Sequence, residues 1–262
     1  MKLHRIYAIV LRHLYIFRRS PDRWTDVFYW PAVDLFIWGL TGSYFQSTGT
    51  KNASAIVFSI ISGITLWTIV RRGEQEISIS ALEEIWNKNL INIFVSPLRF
   101  GEWIISLLIL GVIKSSISFG FAALLALLLF KMHIFLYGFY LIPFLFLLIM
   151  TGWWVGFFTV GIVLRFGTRI QALAWIMIFV ISPLFAIYYP LKTLPIFAQK
   201  IAMFIPPSYV FEGARTIVQS GTMDTKSLYI CLILNIIYLL LSFWFLRSSF
   251  KKVLQKGLVK VY

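Results

Sequence analysis

Six apolar runs alternate with short polar stretches along the chain, at 27–46, 53–70, 103–130, 134–164, 170–189 and 228–246. A hydrocarbon core about 30 Å thick is crossed by roughly 20 helical residues, and each run is about long enough. Lipid offers no partner to backbone N–H and C=O groups, so a spanning segment has to satisfy them within a helix. Strands of a membrane barrel run about 10 residues with alternating polarity, and none of the runs reads that way. The pattern predicts an all-α membrane protein, one domain over 1–262, with six transmembrane helices.

Three amphipathic pieces lie between or beside these runs. Over 1–20, Leu3, Ile6, Tyr7, Val10, Leu14 and Phe17 follow the spacing of one helical face. Arg5, Arg12 and Arg19 recur every seven residues on another, as in a helix lying in the membrane interface. Ser20-Pro21 ends it, because the residue before proline avoids the helical region. A second piece covers 80–95. Ser80-Ala81-Leu82-Glu83 has the form of a capping box. Leu82, Ile85, Trp86, Leu90, Ile93 and Phe94 fall on one side, Glu83, Glu84, Asn87 and Lys88 on the other, and Ser96-Pro97 stops the run. Two readings stand for it: a helix resting on a leaflet, or a docking helix that carries force from a soluble partner. The third piece is 194–215. Leu194-Pro195 opens a short helix with Ile196, Phe197, Ile201, Phe204 and Ile205 apolar. Pro206-Pro207 breaks it, and Ser208 caps a second short helix through Arg215. Each half is too short to cross and too apolar for a solvated loop, which predicts a re-entrant or interfacial hairpin. Glu212 and Arg215, at i and i+3, are placed to pair.

Composition narrows the class. With 60% hydrophobic and 13% charged residues, the chain is too apolar to stay in solution as a globular domain. The net charge of +14 is unevenly placed, which argues against a nucleic-acid partner. With the amino terminus inside, Arg5, Arg12, Arg18, Arg19, Arg71, Arg72, Arg247, Lys251 and Lys252 are among the many basic residues on the inner side. Lys51, Lys131, Lys192, Lys200, Arg215 and Lys226 are the fewer outside. That asymmetry predicts both termini in the cytoplasm, with the basic side toward anionic lipid of the cytoplasmic membrane. Arginines interrupt the first apolar stretch, so no signal-peptide core is predicted.

Candidate chemistry is sparse. Cys231 is the single cysteine, which leaves no disulfide within the chain and no thiolate metal site. His4, His13 and His133 lack metal-ligand spacing. No G-x-S-x-G elbow and no phosphate-cradling G-x-x-x-x-G-K-[ST] loop occurs. Glu83 and Glu84 point about 100° apart on a helix and suit a solvated or docking face. Gly152, Gly156 and Gly161 suit close helix contact. Asp34 and Lys114 are ionisable groups inside predicted spans. Each is costly alone in lipid, so both are expected to face the bundle interior and to lie near each other.

In order along the chain stand a basic amphipathic helix, a cytoplasmic helix ending in Val95-Ser96-Pro97-Leu98 with Glu102 following, six spans with both ends inside, and a segment before the last span. That segment runs Ile205-Pro206-Pro207-Ser208-Tyr209-Val210-Phe211-Glu212-Gly213-Ala214-Arg215. The whole resembles the membrane permeases of type-two ABC exporters, and the Pro…Tyr…Glu…Arg run is the most specific part. Pro206-Pro207 departs from the Asn-Pro often found there. The resemblance implies a non-catalytic permease, paired with a second permease as homo- or heterodimer. It implies a separate ATP-binding subunit that holds ATP and Mg and docks through Leu82, Glu83, Glu84, Ile85, Trp86, Asn87 and Lys88. It also implies an outer gate at Pro206, Pro207, Tyr209, Glu212 and Arg215, and export of a hydrophobic, amphipathic or lipid-linked substrate. This chain would bind no cofactor. The alternatives are an ion-driven carrier, expected to show paired repeats with helices broken near the midplane, and a polytopic membrane enzyme, expected to gather acid, base or metal groups at one leaflet.

Overall fold

A computed structural model describes residues 1–47 and 53–256, and among them all regular structure is helical. The helices are α1 (Leu3–Arg19), α2 (Pro21–Ser47), α3 (Ala53–Trp86), α4 (Leu90–Val95), α5 (Phe100–Phe130), α6 (Leu141–Phe166), α7 (Leu173–Ile181), α8 (Ile196–Ala202), α9 (Pro206–Ser220) and α10 (Thr225–Lys256). The predicted basic residues Lys51 and Lys260 lie outside the described residues.

Four of the six apolar runs form helices long and apolar enough to cross a membrane: Ile56–Trp86, Phe100–Phe130, Ile134–Phe166 and Thr225–Gln255. The other two depart for different reasons. α2 has the length, at 27 residues, but Asp26, Asp34 and several aromatic residues keep it from the same apolarity. The fifth run folds as α7, of nine residues, continued by a 3-10 turn over Ser182–Phe185. Pro183 sits in that turn, and Ala186 just beyond is left-handed at φ 60°. Continuous α-helix therefore stops there. The fourth run also starts later than its hydropathy, since Ile134–Tyr140 forms a 3-10 segment with Gly138 at φ 50°.

The largest correction concerns α3. The expected helix over 80–95 does not exist as one element. α3 runs 34 residues without a break, about 51 Å at 1.5 Å per residue. Ser80 is not its cap. The Ser80 hydroxyl bonds back to Glu76 Oε1, 3.1 Å away within the same helix. No proline interrupts 53–86, so the helix continues as long as its polar side chains find partners. It ends at Trp86, where Lys88 is left-handed at φ 53°. The six-residue α4 follows, and the Ser96 hydroxyl bonds to Ile93 O at its end.

α3 is the centre of the bundle: 78% of its most apolar window is buried, against 17% for α10. One core packs its first half, around Ile64, Trp67 and Val70, against Phe144, Phe185 and Phe211. A second core packs its other half, around Ile77, Leu82 and Ile85, against Trp103, Phe157 and Leu246. α1 lies against α5 through Ile6, Val10 and Leu110, with Phe17 also buried. Leu3 and Tyr7, expected on the same face, remain exposed. On α6, Thr151 and Trp154 both donate to Asn235 Oδ1 of α10, at 3.0 and 3.2 Å.

α3 and α6 meet at small residues, as the glycine spacing predicted. A Cβ on Gly152 would stand 2.9 Å from Val70 O and 3.0 Å from Glu74 N, both backbone atoms that cannot swing aside. Gly152→Val is expected to force the two helices apart and to lower stability by about 1–3 kcal/mol, the usual cost of overpacking. Gly101→Ala, where nothing lies within 4 Å, is expected to stay within about 0.5 kcal/mol. Thermal unfolding of the purified variants in detergent distinguishes the two.

Candidate functional site: a buried charge network on the central helix

The second half of α3 carries Arg71, Arg72, Glu74, Gln75, Glu76 and Glu84, all buried. Helical geometry sends these side chains to several neighbours at once. Arg72 reaches α2, where it hydrogen-bonds Asp26, and lies 3.6 Å from Glu76 Oε2 one turn along. Glu76 in turn accepts from Lys114 Nζ of α5 at 2.5 Å. Glu83 pairs with Arg23 of α2 at 2.7 Å. Glu84 pairs with Arg12 of α1, stands 3.5 Å from His13 Nε2 and accepts from Asn89 Nδ2 at 2.6 Å. Beside this set, buried Glu102 at the start of α5 accepts from the backbone N–H groups of Lys2 and Arg99, at 2.7 and 2.9 Å, with Arg5 3.6 Å away. Arg5 also donates to Pro97 O. α1 is thus tied to the end of α3 and the start of α5.

Glu74 stands apart. It is wholly buried at the α3–α6 contact and accepts from the Ser78 hydroxyl at 2.7 Å, with the Thr159 hydroxyl of α6 also beside its carboxyl. No described cation pairs with it.

Asp34 and Lys114 do not pair. Lys114 is held by Glu76, with Phe17 5.1 Å from its ammonium, and the nearest cation to Asp34 is Arg71 at 3.9 Å. Both were expected to face inward and both find opposite charge, but on α3 rather than on each other. The second apolar run ends at Val70, with Arg71 and Arg72 counted among the basic residues of the inner side, so the α3 partners of Asp34 and Lys114 do not stand out in the sequence.

The predicted docking residues divide. Leu82 and Ile85 are buried in the second core, and Leu90 and Ile93 join them. Glu84 is buried and paired, and Glu83 is partly covered by Arg23, so neither forms the solvated face expected of them. Trp86, Asn87 and Lys88 do reach the surface. Trp86 is 44% exposed, donates to Gln171 Oε1 at 2.8 Å and stacks on Trp175 of α7 at 5.9 Å. The side chain of Phe94 lies outside the described residues. Between α1 and α4 an open groove of about 310 Å³ is lined by Arg5, Ile9, Arg12, Asn89, Ile93 and Pro97, among others.

At the other end of α3, 194–215 folds largely as its pattern indicates, with α8 starting just after Pro195. Pro206 and Pro207 begin α9 rather than breaking a helix, since proline suits the first helical positions. α9 continues past Arg215 to Ser220. Ser208 lies inside it and donates to Ala202 O and Ile205 O at 2.8 and 2.7 Å, joining α9 to α8. Tyr209 OH donates to Met203 O at 2.7 Å. The Glu212–Arg215 pair forms at 3.0 Å. Buried Arg215 also donates to Ser59 Oγ of α3 at 3.0 Å and to Ala186 O at 2.9 Å, while Glu212 accepts from Leu191 N–H. One arginine therefore holds α9, α3 and the turn after α7 together.

Sequence reasoning missed Arg71, Arg72, Glu74 and Glu76. The available signal was the apolar series Ile69, Val70, Ile77, Ala81 and Ile85, which continues the helical period through the charges.

Among the described residues, no group of three His, Cys, Asp or Glu side chains converges as a metal site would. Comparison with protein-family models and with curated proteins finds no match. Fold and site together define a helical protein whose long apolar helices suit multi-pass membrane insertion, with most of its described buried charges on a central helix.

Removing one member of a buried pair costs up to about 3–5 kcal/mol when its partner is left unpaired, and less here, because Arg72 stays 3.6 Å from Glu76. Lys114→Met is expected to show that loss, and Glu76→Gln added to it to restore part. Asp34→Asn combined with Lys114→Met is expected to be additive within about 0.5 kcal/mol. Double-mutant cycles on unfolding in detergent measure both couplings.

His13 supplies a pH dependence. Burial, followed by the charge of Arg12, pushes its imidazole down to about 4 from 6.5. Undocked α1 therefore binds more protons than docked α1 between those values, and docking weakens as pH falls through that window. Protection factors of α1 amides, taken against the intrinsic exchange rate at each pH, are expected to fall from pH 7 to pH 5 in the native chain. In His13→Gln that fall is expected to flatten.

Proposed function

We propose that this chain is the transmembrane permease subunit of an ATP-driven exporter of the type-two ABC class. The observation that carries the reading is the span of α3. One unbroken helix joins the exposed elbow at Trp86–Lys88 to the Arg215 clamp on α9. A force applied at the elbow reaches the α8–α9 pair without crossing a flexible joint. Packed interfaces of this kind switch between discrete arrangements rather than deforming continuously.

In this reading both termini face the cytoplasm, and α2 and the α7 segment complete six crossing segments. A separate ATP-binding subunit, carrying ATP and Mg, contacts Trp86, Asn87, Lys88 and the groove between α1 and α4. A second permease subunit completes the path. The α8–α9 pair forms a re-entrant hairpin over the outer mouth, with Pro206, Pro207, Tyr209, Glu212 and Arg215 as its gate. ATP binding closes the partner's halves, moves the elbow and turns the path outward. The substrate is hydrophobic, amphipathic or lipid-linked, and this chain itself performs no catalysis.

Because Glu84 is buried in an ion pair, its reversal would unfold α1 from α3. The informative residues are the exposed ones. A cysteine at Asn87 is expected to cross-link to the ATP-binding subunit of the complex, with a yield that changes when ATP is added. Lys88→Glu is expected to uncouple ATP hydrolysis from transport while the unfolding profile stays native. Absence of any ATP-binding subunit at that elbow in an active complex overturns the assignment.

A further inference from the structure

Every other described charge in the α3 network is hydrogen-bonded or tightly paired, and Arg71 is the exception. It is 3% exposed yet makes no hydrogen bond to any described residue, and its Nε is buried without a partner. Asp34, the nearest described carboxylate, lies 3.9 Å away, beyond hydrogen-bond reach. Asp34 itself accepts no hydrogen bond from a described residue. Buried polar groups are nearly always satisfied, so the buried Arg71 guanidinium has unused donors, and the partly exposed Asp34 carboxylate beside it has unused acceptors.

The surroundings indicate its chemistry. Trp30, Asp34 and Trp38 are spaced i, i+4, i+8 on α2 and share one flank of that helix. The Arg71 guanidinium lies 6.0 Å from the Trp30 ring, and Trp38 stacks on Tyr188 at 4.5 Å. The flank is open: the Asp34 side chain is 25% exposed and Trp30 45%. A lone anion at Arg71 would face the Asp34 carboxylate, and a lone cation at Asp34 would face Arg71. A neutral polyol satisfies both, since its hydroxyls donate to carboxylate oxygens and accept from guanidinium N–H groups. The indole faces offer flat apolar surfaces to the C–H faces of sugar rings. Trp30 and Trp38 stand about 12 Å apart along the helix, too far to enclose one ammonium, which needs its rings within about 6 Å. That separation suits more than one ring in a row.

We propose that Trp30, Asp34, Trp38, Arg71 and Tyr188 form a binding site for the sugar rings of a glycan-bearing amphiphile. Its place in a transport path rests on the exporter reading; the binding itself does not.

The test uses the full chain in nanodiscs of phosphatidylethanolamine and phosphatidic acid, without any ATP-binding subunit. The probe is dodecyl maltoside, compared with dodecyl octaethylene glycol ether and dodecylphosphocholine. Saturation-transfer NMR is expected to show transfer from protein aromatic protons to the sugar C–H protons, and little to the other headgroups. Asp34→Asn, by the loss of roughly one charge-assisted contact, and Trp30→Leu, by the loss of one ring-stacking face, are each expected to raise the maltoside Kd about tenfold. Trp30 is exposed, so its variant decides the matter if Asp34→Asn fails to fold. Equal transfer to all three headgroups, preference for phosphocholine, or an unchanged Kd in the folded variants overturns the site. Maltoside binding by a chain that recruits no ATP-binding subunit removes the exporter reading and leaves the site standing.

Discussion

A charge buried in an apolar bundle has to meet an opposite charge or lose it, and the arrangement of α1, α2 and α5 around α3 follows from that requirement. The desolvation cost of each ion is several kcal/mol and is offset only when a partner arrives with good geometry. Arg72, Glu76, Glu83 and Glu84 each receive theirs from a different helix or a different turn. The positions of Asp26, Lys114, Arg23 and Arg12 are thereby fixed relative to α3 more narrowly than apolar packing alone would fix them. Hydrophobic contact sets how close the helices lie, as at Gly152, and the ion pairs set their register.

The two ends of α3 are built on the same plan with different materials. At one end several carboxylates gather cations from α1 and α2 around the elbow. At the other a single arginine gathers acceptors, Glu212, Ser59 and the Ala186 carbonyl, from three parts of the chain. Between them the helix is straight-through and largely buried. A structure of this kind transmits displacement along its axis better than across it.

Much of this was legible in the sequence and some was not, for identifiable reasons. The buried face of α1 at Ile6, Val10 and Phe17, the start of α8 after Pro195, and the Glu212–Arg215 pair all follow from local spacing and local sterics. The continuity of α3 does not. Hydropathy scores each residue as though it met lipid alone, so Arg71 to Ile79 reads as a polar break between two helices, whereas paired charges on a helix cost far less than isolated ones. Ser80 looked like a cap because a serine followed by a glutamate at the third position is the same string whether the hydroxyl turns to a free N–H or to Glu76 one turn back. The Asp34–Lys114 expectation failed with the same omission, because the better partners lie beyond the end of the second apolar run. The interruption of the fifth run depends on Pro183 and on a left-handed Ala186, and a run of apolar residues masks such a local event.

The order of the partners along the chain bears on how the protein enters a bilayer. Arg72 and Arg71 face Asp26 and Asp34, and Glu83 and Glu84 face Arg23 and Arg12, so these partners all precede α3 and have left the ribosome when α3 emerges. Of the α3 pairs, only Glu76 takes its closest counter-ion from later in the chain, and Arg72 lies within 3.6 Å of it meanwhile. α1, α2 and α3 can therefore leave the insertion machinery as a hairpin already close to neutral, a lighter load than a helix with several bare charges. Lys114 of α5, later in the chain, then meets a carboxylate that already has Arg72 beside it.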